Sequence, residues 1–116
     1  MFGWRSKMGA EEEDRHLTNV DELKREELAV LFKHSSTCGV SWAAQTQVKK
    51  FEAANPDIPV YTISVRQDRE LSRQIAQETR IRHESPQVIV FRRGVPVANA
   101  SHQDVTVDFL SRAVRQ

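Results

Sequence analysis

Between Ala29 and Val65 the apolar pattern changes period twice, and few folds accommodate that change. Residues 29–33 (Ala, Val, Leu, Phe, Lys) form a brief continuous apolar run, the pattern of a strand buried on both faces of a central sheet. From Gly39 to Ala54, the residues Trp42, Ala43, Val48, Phe51 and Glu52 recur at spacings of three and four, and Asn55 with Pro56 then stops the helix they predict. Residues 60–65 alternate β-branched and aromatic side chains as a second strand, completing a βαβ unit.

The pattern continues in the same style. Asp68 is placed to cap a helix that turns Leu71, Ile75 and Ala76 toward the core. Gln87–Arg92 (Gln, Val, Ile, Val, Phe, Arg) is the strongest strand signal in the chain, and Gly94 turns it into a hairpin partner at residues 95–100. Thr106 caps a last helix with Val107, Leu110 and Val114 on one face. Upstream, Asn19 and Glu22 fit a capping box, with Val20, Leu23 and Leu28 in the helical rows behind it. These elements make an α/β sandwich over residues 17–116. Residues 1–16 carry small and charged side chains with no apolar period and read as a flexible tail, in which Phe2 and Trp4 are either a docking patch or a terminus folded onto the core.

A chain of 116 residues can bury one core but hardly two, so a single domain is expected. Seventeen basic against sixteen acidic residues, a net charge of +1, demand neither nucleic acid nor a membrane surface as partner. No apolar run approaches the roughly 18 residues of a membrane helix, and residues 1–15 lack the apolar core of a secretory signal, so a cytoplasmic protein is expected.

Cys38 is the only cysteine and cannot form an intramolecular disulfide. It is an inert buried side chain, a metal or cluster ligand shared between molecules, or a reactive thiol, and its setting has to choose. The segment Ser36-Thr37-Cys38-Gly39-Val40-Ser41 joins the first strand to the helix after it. A helix start presents unpaired N–H groups and the positive end of the dipole, which favour thiolate over thiol. A fall in pKa from about 8.5 to about 6 would raise the thiolate fraction at neutral pH roughly thirtyfold. Lost nucleophilicity would offset nearly twentyfold of that. The larger benefit is a better leaving group, suited to a thiol that accepts an adduct and hands it on.

At these residues the chain resembles the thioredoxin superfamily, with Cys38-Gly39-Val40-Ser41 in place of Cys-x-x-Cys. The resemblance implies a thioredoxin-like fold, a central four-stranded mixed sheet flanked by helices. Ser41 then stands where the resolving cysteine would be, and since a hydroxyl cannot attack sulfur, an outside thiol must release any adduct. The Ser85-Pro86 bond before the third strand is cis in relatives and faces their active cysteine. More narrowly, Lys33-His34-Ser35-Ser36-Thr37-Cys38, His83-Glu84-Ser85-Pro86-Gln87 and Ser101-His102-Gln103-Asp104-Val105-Thr106 resemble the YtxJ family of monothiol bacilliredoxins, over residues 20–110. That likeness implies that Cys38 takes bacillithiol from S-thiolated client proteins. The low-molecular-weight thiol is then a co-substrate and no resident cofactor is expected. Gly39 stands where members commonly carry proline.

An antiparallel hairpin returns the end of residues 95–100 beside the start of Gln87–Arg92, which puts Ser101, His102 and Gln103 next to Ser85 and Pro86. Related glutaredoxins hold their small thiol there, so these residues are expected to grip the adduct. Thr37, Gly39, Val40, Ser41 and His34 make the thiolate's surroundings, while Lys33 either lowers the thiol pKa or faces water. His16, His34, His83 and His102 lack ligand spacing, so no metal site is expected. His34 and His83 read as hydrogen-bonding residues at strand ends, and Arg92-Arg93 as a solvated hairpin tip. One alternative is an iron–sulfur carrier, because Cys-Gly-Val-Ser is one residue from the Cys-Gly-Phe-Ser of monothiol glutaredoxins. Against it, those proteins carry a Gly-Gly-x-Asp stretch where this chain has Ala100-Ser101-His102-Gln103-Asp104. A second alternative is a binding module that keeps the fold without the chemistry.

Overall fold

Residues 29–32 disappear from solvent on both sides of a sheet, and the rest of the architecture follows from what covers them. The computed structural model describes residues 15–37 and 39–116, so Phe2, Trp4 and Cys38 lie outside the described residues. Strands β1 (Leu28–His34), β2 (Val60–Ser64), β3 (Gln87–Arg92) and β4 (Val95–Ser101) form one sheet in the order β2-β1-β3-β4. β1 is parallel to β2, with Val30 opposite Val60, and antiparallel to β3, with Lys33 opposite Gln87. β3 and β4 are antiparallel, with Gln87 opposite Ser101.

Successive β1 side chains feed opposite layers, as the period of a strand requires. Val30 and Phe32 pack with Ala44, Val48 and Phe51 of α2 (Gly39–Ala54) and with Leu110 and Ala113 of α4 (Val107–Ala113). Ala29 and Leu31 pack with Leu23 of α1 (Asp21–Lys24) and Ile75 of α3 (Arg69–Thr79). The hairpin turn has Arg93 at φ 50° and Gly94 at φ 81°, the two positive values of a tight two-residue loop. A Cβ on Gly94 would meet Lys24 Cγ at 2.8 Å, so glycine is required there for space as well as for conformation.

Several expectations are corrected. Arg15 and His16, assigned to the tail, run along the outer edge of β2: Thr62 N–H donates to Arg15 O at 2.9 Å and Leu17 N–H to Thr62 O at 3.2 Å. This pairing uses backbone groups, which leave no apolar period to read. Leu28 belongs to β1 rather than to the first helix, which ends at Lys24; Glu22 does reach back to the Asn19 N–H, at 3.2 Å. Asp68 does not cap α3 with its side chain; its Oδ2 accepts Ser64 N–H at 2.8 Å and pairs with His16 Nε2 at 2.9 Å. On α2 the buried row is Ser41, Ala44, Val48 and Phe51, which leaves Trp42 half exposed and Ala43 exposed. Arg92 is not a solvated tip, since its Nη2 donates to Val114 O at 2.6 Å, whereas Arg93 is exposed and pairs with Glu27. Thr106 caps α4 as expected, accepting Phe109 N–H at 3.0 Å.

Candidate functional site

The C-terminal end of β1 is where apolar packing gives way to buried polar groups. Ser41, in the first turn of α2, is fully buried, and its Oγ accepts Ser35 N–H at 2.9 Å. The same hydroxyl shares a 2.9 Å hydrogen bond with His34 Nδ1. Trp42 crosses the His34 ring edge-on at a centroid distance of 4.9 Å and donates its Nε1–H to Ser36 O at 3.0 Å. The Ser35 and Thr37 hydroxyls lie 3.1 Å apart. The turn that leads from β1 into α2 is therefore pinned from both sides by Ser41 and Trp42. Burial holds the His34 pKa below the ordinary imidazole value, with a hydrogen bond to the Ser41 backbone pulling the other way. Cys38, between Thr37 and Gly39, is the residue that precedes α2 in the chain. A Cβ added to Gly39 would meet nothing within 4 Å, so the space admits a larger residue.

Facing this turn are the segments that precede β3 and follow β4. The Ser85-Pro86 peptide is cis, and Pro86 O accepts His102 N–H at 2.9 Å. His102 opens a 3-10 turn (His102–Asp104) with φ 56°, and its Nε2 lies 3.0 Å from Glu84 Oε1. Ser101, His102 and Pro86 are thus brought together as the hairpin required. Ser85 Oγ is buried without a hydrogen-bond partner among the described residues. A cleft of about 280 Å³ is lined by Val40, Ala43 and Gln47 of α2 and by His102, Gln103 and Thr106, so Val40 meets His102 and Gln103 across it.

Lys33 does not face water. It is fully buried, on the Leu31 face away from α2, and its Nζ donates to Gln87 Oε1 at 2.9 Å. Burial lowers its pKa to about 8, with the Glu84 carboxylate opposing the shift. His83 lies within 3.2 Å of Ser72 Oγ through Nδ1; burial first and then the Lys33 charge lower its pKa. Gln87, Glu84, Trp42 and Gln47 were not singled out as site residues. Glu84 and Gln87 stand in the segment that carries the family likeness, and a polar residue opening an apolar strand was the available signal for Gln87. Among the described residues no group of three or more His, Cys, Asp or Glu side chains is arranged to hold a metal, and no helix is long and apolar enough to cross a membrane.

A mixed sheet with helices on both faces and a cis-proline opposite a strand-to-helix junction defines a thioredoxin-fold protein. A solved structure of a protein proposed to be an oxidoreductase with a thioredoxin fold is 32% identical, with a TM-score of 0.82, covering 93% of this chain and 98% of that one. Mitochondrial thioredoxin 3 of Saccharomyces cerevisiae (20% identity, TM-score 0.67, covering 88% of this chain and 93% of that one) has the same fold. So does Chlamydomonas reinhardtii thioredoxin f2 (17% identity, TM-score 0.68, covering 88% and 94%). The family model for the monothiol bacilliredoxin BrxC matches residues 11–110, and the chain belongs to the monothiol bacilliredoxin family. That membership supports a thiol–disulfide redox function.

Proposed function

We propose that this chain removes a low-molecular-weight thiol of the bacillithiol type from S-thiolated client proteins in the cytoplasm, with Cys38 as the nucleophile. The observation that carries the reading is the family match over residues 11–110 in a chain whose only cysteine is Cys38. In the first step the Cys38 thiolate attacks the adduct's sulfur. A bond forms between Cys38 Sγ and the small thiol, the mixed disulfide breaks, and the client leaves as a thiolate. In the second step a free small thiol, as thiolate, attacks the Cys38 adduct, giving the symmetrical small-thiol disulfide and regenerating Cys38; Ser41 cannot replace it, because an alcohol does not displace sulfur. The cleft between Val40 and His102 supports a binding role for His102 and Gln103 toward the adduct's polar part, and the pairing of Ser101 with Gln87, next to Ser85 and Pro86, supports the same role for Ser101.

Intact mass spectrometry after exposure to bacillithiol disulfide or to glutathione disulfide tests this reading. One small-thiol adduct on the wild-type chain, removed by free thiol and absent in Cys38→Ser, is expected. His102→Ala should turn over the adduct more slowly while melting as the wild type does. A chain that accepts neither adduct, or that purifies anaerobically with iron, overturns the proposal.

A further inference from the structure

Lys33 is the only buried charged residue among the described residues, and its hydrogen-bond partner is neutral. An ammonium group taken out of water recovers little from one neutral acceptor, so a core selected for packing alone would carry leucine or methionine here. What the cation does locally is fix an amide. Lysine can only donate, so Gln87 must present Oε1 to it, which leaves Gln87 Nε2 pointing the other way. There it donates to Arg82 O at 3.0 Å and closes the turn over residues 82–87. Gln87 is itself buried and lies directly opposite Lys33 across the β1–β3 ladder, so the two side chains are held in register by the sheet. The closed turn contains Glu84, Ser85 and cis Pro86, and its other side is tied to the 3-10 turn after β4 through His102 N–H and the Glu84–His102 pair.

We propose that Lys33 is a positioning residue. By orienting the Gln87 amide it holds residues 82–86, and through the Pro86 O and Glu84 contacts it also holds His102, which lines the cleft, in the arrangement that binds the small-thiol part of the mixed disulfide. This rests on the function proposed above. The Lys33 charge lies on the sheet face away from α2, and the groups it touches or acts on belong to β3 and the turn before it. Its effect therefore falls on substrate affinity and not on the reactivity of the thiol.

Two variants separate these effects. Gln87→Glu keeps an acceptor for Lys33 and adds a compensating charge, but removes the only donor that could reach Arg82 O from that side chain. Lys33→Met removes the cation and keeps the volume. Both should fold with native far-UV circular dichroism and cooperative melting, and if Lys33→Met does not, Gln87→Glu decides alone. With a client peptide carrying bacillithiol as mixed disulfide, KM should rise about fivefold, the worth of one net hydrogen bond, with kcat held near the wild-type value. The pH profile of Cys38 alkylation by iodoacetamide should superimpose on that of the wild type. Unchanged KM in folded variants overturns the positioning role, and so does a displaced alkylation profile, which would place Lys33 in the thiol's own electrostatics. Wild-type protein that takes up no adduct overturns instead the functional reading on which the role depends.

Discussion

β1 is two materials in one strand. Its first half, Ala29 to Phe32, is fully buried among aliphatic and aromatic side chains from both helical layers. Its last residues and their neighbours, Lys33, Ser35, Ser41 and Gln87, are nearly as inaccessible but polar, and each is bound to another segment by a side-chain hydrogen bond. Apolar burial is non-directional and tolerates small shifts; buried hydrogen bonds fail when geometry changes by a fraction of an ångström. The apolar half supplies stability, while the polar half fixes where two turns stand. It is at the polar half that the cis-proline and the start of α2 face one another.

Substitutions on the two sides of this boundary should differ in kind. Phe51→Ala, in the apolar layer, is expected to cost about 3–5 kcal/mol in urea unfolding, the usual range for a buried aromatic. If the fold survives, adduct uptake by Cys38 should persist. A loss nearer 1 kcal/mol would mean that the apolar half is loosely packed and the contrast overstated.

Lys33 should give an effect of roughly 3 kcal/mol that depends on pH, from a pKa lowered to about 8 against 10.5 unfolded. Below pH 8 both states hold the proton, and the folded state bears the full cost of the buried charge. Between pH 8 and 10.5 the unfolded state binds more protons, so wild-type stability rises; above 10.5 both are neutral and the cost is gone. Subtracting Lys33→Met across this window cancels other groups, including Tyr61, whose pKa is raised. A pH-independent difference between the two proteins would show that Lys33 is not held as a buried cation. The smallest effect belongs to Ser41→Ala, which leaves Ser35 N–H without its acceptor at a cost of about 2 kcal/mol. Here uptake of the adduct should fall along with stability, and denaturation curves that match the wild type would remove Ser41 as the pin between β1 and α2.

The boundaries of α2 and of β3 were legible to the residue, because a helix period ending in Asn55-Pro56 and an apolar run ending at an Arg-Gly turn are local signals. The return of His102 to Pro86 was legible too, since an antiparallel hairpin has only one way to fold back. Trp42 was misplaced by one position on the helix surface. Its position and the true buried row differ by a single residue, and its indole N–H donates to Ser36 O, outside the helix. Asp68 was read as a cap because it precedes a helix, yet its carboxylate serves Ser64 and His16.

The sequence by itself determined the order of strands and helices, the tight turn at Gly94 and the single thiol at Cys38, because period, turn chemistry and composition are properties of neighbouring residues. Tertiary structure alone decided that Lys33 is buried, that Gln87 turns its amide toward Arg82, and that Arg15 and His16 lie along β2. Each of those outcomes depends on a partner from another segment, as far as 54 residues away for Lys33 and Gln87, and no local pattern encodes what a distant strand will place opposite.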